Sequence, residues 1–260
     1  MASGVTDSAA APPAKGAPGG LRQRSSAPPP LPRPRKGPWL LELYRSAIGK
    51  KYAMAITGIV LMGYVFAHMV GNLKLYVGAE SMNAYAEWLQ VLGYPAIPGA
   101  LWILRVGLLA ATVLHVHAAW SLTRMNRAAR PHGYESKRDY IAASFAARTM
   151  RWSGVIVLLF IVFHLLDLTF GTANPDFVRG DVYENVVASF QRVPVSIFYI
   201  LANLALGLHL YHGAWSLFQS LGLNNRRFNH WRKYFAVGFA AVVTLGNITF
   251  PIAVLTGIVR

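Results

Sequence analysis

The sequence predicts an all-α, polytopic membrane protein: five transmembrane helices with short interfacial helices at their ends. Three observations predict it. Only 13% of the 260 residues are charged, where a soluble domain of this size carries about 25%. Five apolar stretches, approximately 52–72, 99–122, 152–171, 195–217 and 234–258, each reach the roughly 20 residues that cross a hydrocarbon core about 30 Å thick. They are too continuously apolar for the period-two alternation of outer-membrane strands. Finally, the cations alternate by loop. Of 25 Lys and Arg, nine precede the first span, seven lie between spans two and three, and four lie between spans four and five. The other two loops hold Lys74, Arg179 and Arg192 against Glu80, Glu87, Asp176, Asp181 and Glu184. That asymmetry puts the N-terminus on the cytoplasmic side and the C-terminus outside. It also accounts for the net charge of +15 without a nucleic-acid partner.

Taken in order, residues 1–38 are rich in Ala, Pro, Gly and Ser and include PPPLPRPRKGP. Such a composition buries too little apolar surface to order itself, so a disordered cytoplasmic tail is expected before a membrane domain over 39–260. The tail lacks the compact apolar core of a signal peptide. From Trp39, WLLELYRSAIGKKY reads as an amphipathic helix at the inner interface. SMNAYAEWLQVL and DVYENVVASFQR read as similar short helices outside. The basic loop RAARPHGYESKRDY is a cytoplasmic surface for anionic headgroups or a soluble partner, or simply a topogenic loop.

The chemistry lies in the histidines. His132 and His230 fall in basic loops, but His68, His115, His117, His164, His209 and His212 fall inside spans one to four. One imidazole in a span is more often a helix–helix hydrogen bond than a ligand. Six over four consecutive spans point to function. Helix rise gives their depth. His68 is about 16 residues into span one and His164 about 12 into span three, both running outward. His117 is about 18 residues into span two and His209 about 14 into span four, both running inward. The result is two layers: His68 with His164 outside, and His117 with His209 inside.

The chain has no cysteine, so it cannot build a thiolate or iron–sulfur site alone. Two stacked imidazole pairs are instead what two bis-histidine haems require, in a four-helix haem-binding bundle. Zinc would want three or four ligands at one depth. Two choices stay open on the residues alone. His115 and His117 lie about 200° apart on their helix, so only one can face a given iron. His209 and His212 share a face, and either could ligate while the other meets a propionate or quinone. Gly63, Gly71, Ala118, Ala119, Gly154, Gly207 and Gly213 would admit a flat macrocycle, or serve close helix packing.

The stretches GKKYAMAITGIVLMGYVFAHMVGNLK, HAAWSL, RWSGVIVLLFIVFHLLDL and FYILANLALGLHLYHGAWSLFQSLG resemble the membrane cytochrome b subunit of succinate dehydrogenase and fumarate reductase. The likeness is to the class in which one five-helix polypeptide carries two b haems. It covers roughly residues 46–222. It implies His68 and His164 as ligands of the outer haem and His117 and His209 as ligands of the inner one, leaving His115 and His212 as non-ligands. An acid that some members carry two positions before the span-four ligand is Gly207 here, against a proton path at that point.

The resemblance further implies a membrane anchor and electron-transfer subunit of respiratory complex II, the succinate dehydrogenase that links the tricarboxylic acid cycle to the respiratory chain. Its partners would be a flavoprotein subunit, an iron–sulfur subunit, the lipid bilayer and a quinone, menaquinone in this class. The chain would contribute quinone reduction and not succinate oxidation. Arg105, Arg151 and His212 are propionate candidates. Asn72, Lys74 and Glu87 are quinone candidates outside, and Ser46, Lys50 and Lys51 inside. Competing readings are a haem-poor structural anchor, histidines completing a partner's metal centre, another membrane cytochrome b, or a transporter with a histidine relay.

Overall fold

The computed structural model describes residues 37–129, 141–223, 225, 227 and 229–260, with backbone alone over 141–148. Residues 1–36 of the expected tail, His132 with residues 130–140 of its basic loop, and Arg226 thus lie outside the described residues. The described residues form helices joined by turns and short loops. In chain order they run α1 (Trp39–Arg45), α2 (Ala47–Asn72), a 3-10 turn (Leu73–Tyr76), α3 (Ala79–Gln90), α4 (Ala100–Ala128), α5 (Ile141–Leu168), α6 (Val182–Gln191), α7 (Val193–Ser220) and α8 (Asn229–Leu255). Five helices, α2, α4, α5, α7 and α8, are long and apolar enough to cross a membrane. The chain is a multi-pass membrane protein.

Where the helices stop and start follows from local chemistry. The segment from Trp39 to Tyr52 is not one interfacial helix, as its composition suggested. Ser46 breaks it: its backbone is extended, its Oγ accepts from Gly49 N–H at 2.9 Å and donates to Leu43 O at 2.6 Å. It therefore ends α1 and caps α2. Lys50 reaches back and donates to the carbonyls of Tyr44 and Arg45 at 2.9 and 3.0 Å, which supplies a cation to the C-terminus of α1. At the other end of the bundle, Asp181 caps α6 through Glu184 N–H at 3.1 Å, and Pro194 stands in the first turn of α7. Gly222, at φ +76°, closes α7. Leu223 N–H bonds Phe218 O and Gly222 N–H bonds Gln219 O, an arrangement that needs a left-handed residue.

Helix α7 is the centre of the bundle, packed on α8, α5, α2 and α6. Its Leu206 and Leu210 meet Ala240 and Val243 of α8. A second, larger apolar cluster joins the ends of α2 and α8 to α3, α6 and α7 through Met69, Met82, Val187, Phe190, Tyr199 and Phe250. Asn83 ties the two caps together, donating to Asp181 and accepting from Tyr183 N–H. By contrast α4 lies chiefly on α2 and buries only Ala111, Ala118 and Leu122.

Gly207 has a packing explanation. A Cβ there would run into the Thr244 side chain of α8, so this glycine lets the two helices approach. Gly207→Val is expected to destabilise the bundle by about 1–3 kcal/mol through overpacking, read as a lower unfolding temperature of the detergent-solubilised protein.

Candidate haem-ligand site

Two imidazole pairs form across the bundle. Toward the end that carries α3 and α6, the rings of His68 on α2 and His164 on α5 have centroids 5.8 Å apart and planes at 87°. Nearer the α1 end, His115 on α4 and His209 on α7 are 6.4 Å apart at 66°. The structure thus brings the His68 and His164 rings together. The second layer is composed differently, for it is His115, and not His117, that meets His209. His117 lies on the other side of α4, exposed, with its ring on Tyr44 and its Nδ1 hydrogen-bonded to the Tyr44 hydroxyl. The cause is helix rotation: α4 turns the Ala111, Ala118 and His115 side toward α2, where Thr57 and Gly58 make room for the ring.

Hydroxyls orient three of these four rings. Thr57 donates its proton to Ala53 O at 2.6 Å, so at 3.1 Å from His115 Nδ1 its oxygen accepts. Ser153 donates to Met150 O at 3.1 Å and lies 3.3 Å from His209 Nδ1. Tyr199 donates to Asp167 Oδ2 at 2.8 Å and lies 3.4 Å from His164 Nδ1, a long contact. In each case the ring must carry its proton on Nδ1, which leaves the lone pair on Nε2. That is the tautomer a histidine needs to bind a metal while its other nitrogen is held from behind.

Thr57 and Ser153 were missed in the sequence, although a signal was there. Met54-x-x-Thr57-Gly58 in α2 repeats as Met150-x-x-Ser153-Gly154 in α5, and each methionine is followed fourteen residues later by a histidine, His68 and His164. Both glycines face the inner rings: a Cβ on Gly58 would stand 3.6 Å from His115, and one on Gly154 3.3 Å from His209. The hairpins α2/α4 and α5/α7 are therefore built alike around one hydroxyl, one glycine and one imidazole.

The remaining candidates separate by what already holds them. Ser46 and Lys50 spend their polar groups on the α1–α2 joint, while Lys51 is exposed. Lys74 lies over the Tyr85 ring at 5.5 Å, Asn72 is half-buried beside it in sequence, and Glu87 is exposed. Arg105 stacks on Trp102 at 4.9 Å, Arg151 is exposed, and His212 Nε2 meets the Thr149 hydroxyl at 3.2 Å. Of the small residues, Gly154 faces a ring, Gly71 packs on Tyr85, and Gly63 has open space beside it.

Residues 123–248 match the model of the succinate dehydrogenase/fumarate reductase transmembrane subunit. This region belongs to that family. The matched stretch is just under half of the chain and holds His164, His209 and His212, along with Ser153, Asp167 and Tyr199. No curated protein and no solved structure matches the chain. Residues 123–248 are thus similar to the transmembrane subunit of succinate dehydrogenase and fumarate reductase, and they lie in a chain with five helices able to span a membrane.

A haem fits the donor set. Each pair brings two imidazoles together from two helices, with ring centroids 5.8 and 6.4 Å apart, and a bis-histidine haem would take two such donors. Among the described residues no three His, Cys, Asp or Glu side chains converge as a zinc site would need.

Beside the His68–His164 layer, Asp167 is fully buried. Its carboxylate accepts from Arg192, Ser189 and Tyr199, and Arg192 also donates to Ala173 O at 2.7 Å. Arg192→Ala would leave that charge unpaired, at a cost of about 3–5 kcal/mol. A markedly shorter half-life of the solubilised protein at elevated temperature, with Arg192→Lys intermediate, is the expected result.

Proposed function

We propose that the chain is the membrane anchor and electron-transfer subunit of a succinate:quinone oxidoreductase, with two b haems held between its two imidazole pairs. The observation that carries this reading is the pairing itself. Two imidazole pairs come together from different helices, and three of the four rings turn Nδ1 to a hydroxyl oxygen whose own proton is donated elsewhere. The resemblance implied His117 for the inner iron. We assign that place to His115, because its ring faces His209 and is backed by Thr57, whereas His117 is engaged by Tyr44.

When bound, the two haems supply one-electron transfer across the bilayer. This chain's residues do the rest. His68 and His164 would hold the outer group and His115 and His209 the inner one, with His164, His115 and His209 offering Nε2. Thr57 and Ser153 fix the inner rings, and Gly58 and Gly154 keep the space beside them clear. The lipid-facing apolar residues exclude water. Arg105, Arg151 and His212 are the cations and donors we assign to propionates. Asn72, Lys74 and Glu87 are the polar groups we assign to the carbonyls of a quinone, menaquinone by the resemblance, at the outer surface.

The partners in this reading are a flavoprotein and an iron–sulfur subunit on the cytoplasmic face of a bacterial inner membrane. The basic residues concentrated on that side by the positive-inside pattern support it, with Arg45, Lys51, Arg124, Arg127 and Arg227 among those described.

Reduced-minus-oxidised spectra of the purified complex test the proposal. About two b haems per chain are expected, and none would remove it. His164→Ala and His115→Ala should each lose one haem while His117→Ala keeps both. If His117→Ala lost a haem and His115→Ala did not, the inner assignment would revert to His117.

A further inference from the structure

The network on Asp167 reaches one histidine. Tyr199 Oη accepts from His164 Nδ1 and passes its own proton toward Asp167 Oδ2, so the imidazole is joined through one phenol to a buried carboxylate. Ser189 also donates to that carboxylate, and Arg192 holds its other oxygen. The inner rings have nothing comparable, for Thr57 and Ser153 pass their protons to neutral backbone carbonyls.

A carboxylate behind an imidazole raises the electron density at the ligating nitrogen, which stabilises the more oxidised metal. From this we infer that Tyr199 and Asp167 are positioning residues that depress the reduction potential of the outer haem and leave the inner one to its neutral partners. The ring of Tyr199 is clamped for the task by Phe160, Phe163, Phe190 and Phe198. Arg192 fixes the acid through its guanidinium, and at 26% exposure it stands where the network meets the surface. The inference rests on the proposed haem ligation.

The test is a spectroscopic redox titration of the whole complex, with haem content measured first, so that a complex without haem removes the ligation and not this step. The component missing from His164→Ala identifies the outer haem. Tyr199→Phe keeps the ring and deletes the link. It should retain both haems and shift the outer one about tenfold toward the reduced form, roughly 59 mV upward for one electron, with the inner one unmoved. Asp167→Asn, similar in size, should shift it the same way if Tyr199→Phe fails to assemble. Ser189→Ala removes another bond to the same carboxylate and should shift the outer haem far less. An unchanged outer potential in either first variant with both haems bound overturns the inference, as does a shift in Ser189→Ala as large as that in Tyr199→Phe.

Discussion

The paired rings of this bundle depend on the hydrogen bonds that hold three of the four imidazoles from behind. A neutral histidine in an apolar helix has one donor and one acceptor to satisfy, and in hydrocarbon neither can turn to water. Thr57, Ser153 and Tyr199 satisfy the donor, and each can do so because its own proton is committed elsewhere, to Ala53, Met150 and Asp167. The acceptor nitrogen is thereby left to face the partner helix. Remove the hydroxyls and the rings could exchange tautomers or rotate, and the two helices of each pair would present no consistent donor set.

That constraint explains why packing is uneven. The end of the bundle that holds the Asp167 network is closed by α3, α6 and the long apolar cluster, with Tyr199 buried in it. A buried carboxylate is tolerable only where the geometry around it is fixed, and the capping helices fix it. The layer at the α1 end has no such charge and needs less. Thr57 and Ser153 bond within their own helices, so their orientation is set by helical geometry alone, and α4 can lie loosely against α2 while still delivering His115.

The sequence was informative about whatever depends on length and depth. Apolar runs gave five helices, and the rise per residue put His68 and His164 in one layer, because depth needs only a residue count. Rotation is different. His115 and His117 differ in depth by about 3 Å, too little to choose between them, and the side of α4 that meets α2 is decided by packing of Ala111 and Ala118 that no periodicity reveals. Asp167 was opaque for another reason: its partners Ser189, Arg192 and Tyr199 come from elements 22 to 32 residues away. The break at Ser46 was legible as a capping residue, and was hidden only by the amphipathic composition on both sides.

The two hairpins show how the halves came to differ. His115 and His209 lie 58 and 56 residues after their hydroxyl partners, so the inner layer is near-symmetric. Ten residues before each of them stand Arg105 and Tyr199, corresponding positions with different chemistry. On α7 that position carries the phenol that links His164 to a carboxylate. On α4 it carries a guanidinium that stacks on Trp102 one turn away. A symmetric pair of hairpins would treat its outer histidines alike. The corresponding positions therefore do different work: the phenol of Tyr199 reaches a histidine and a buried carboxylate, and the guanidinium of Arg105 reaches a neighbouring indole. The shared scaffold holds the rings, and these two positions distinguish the hairpins.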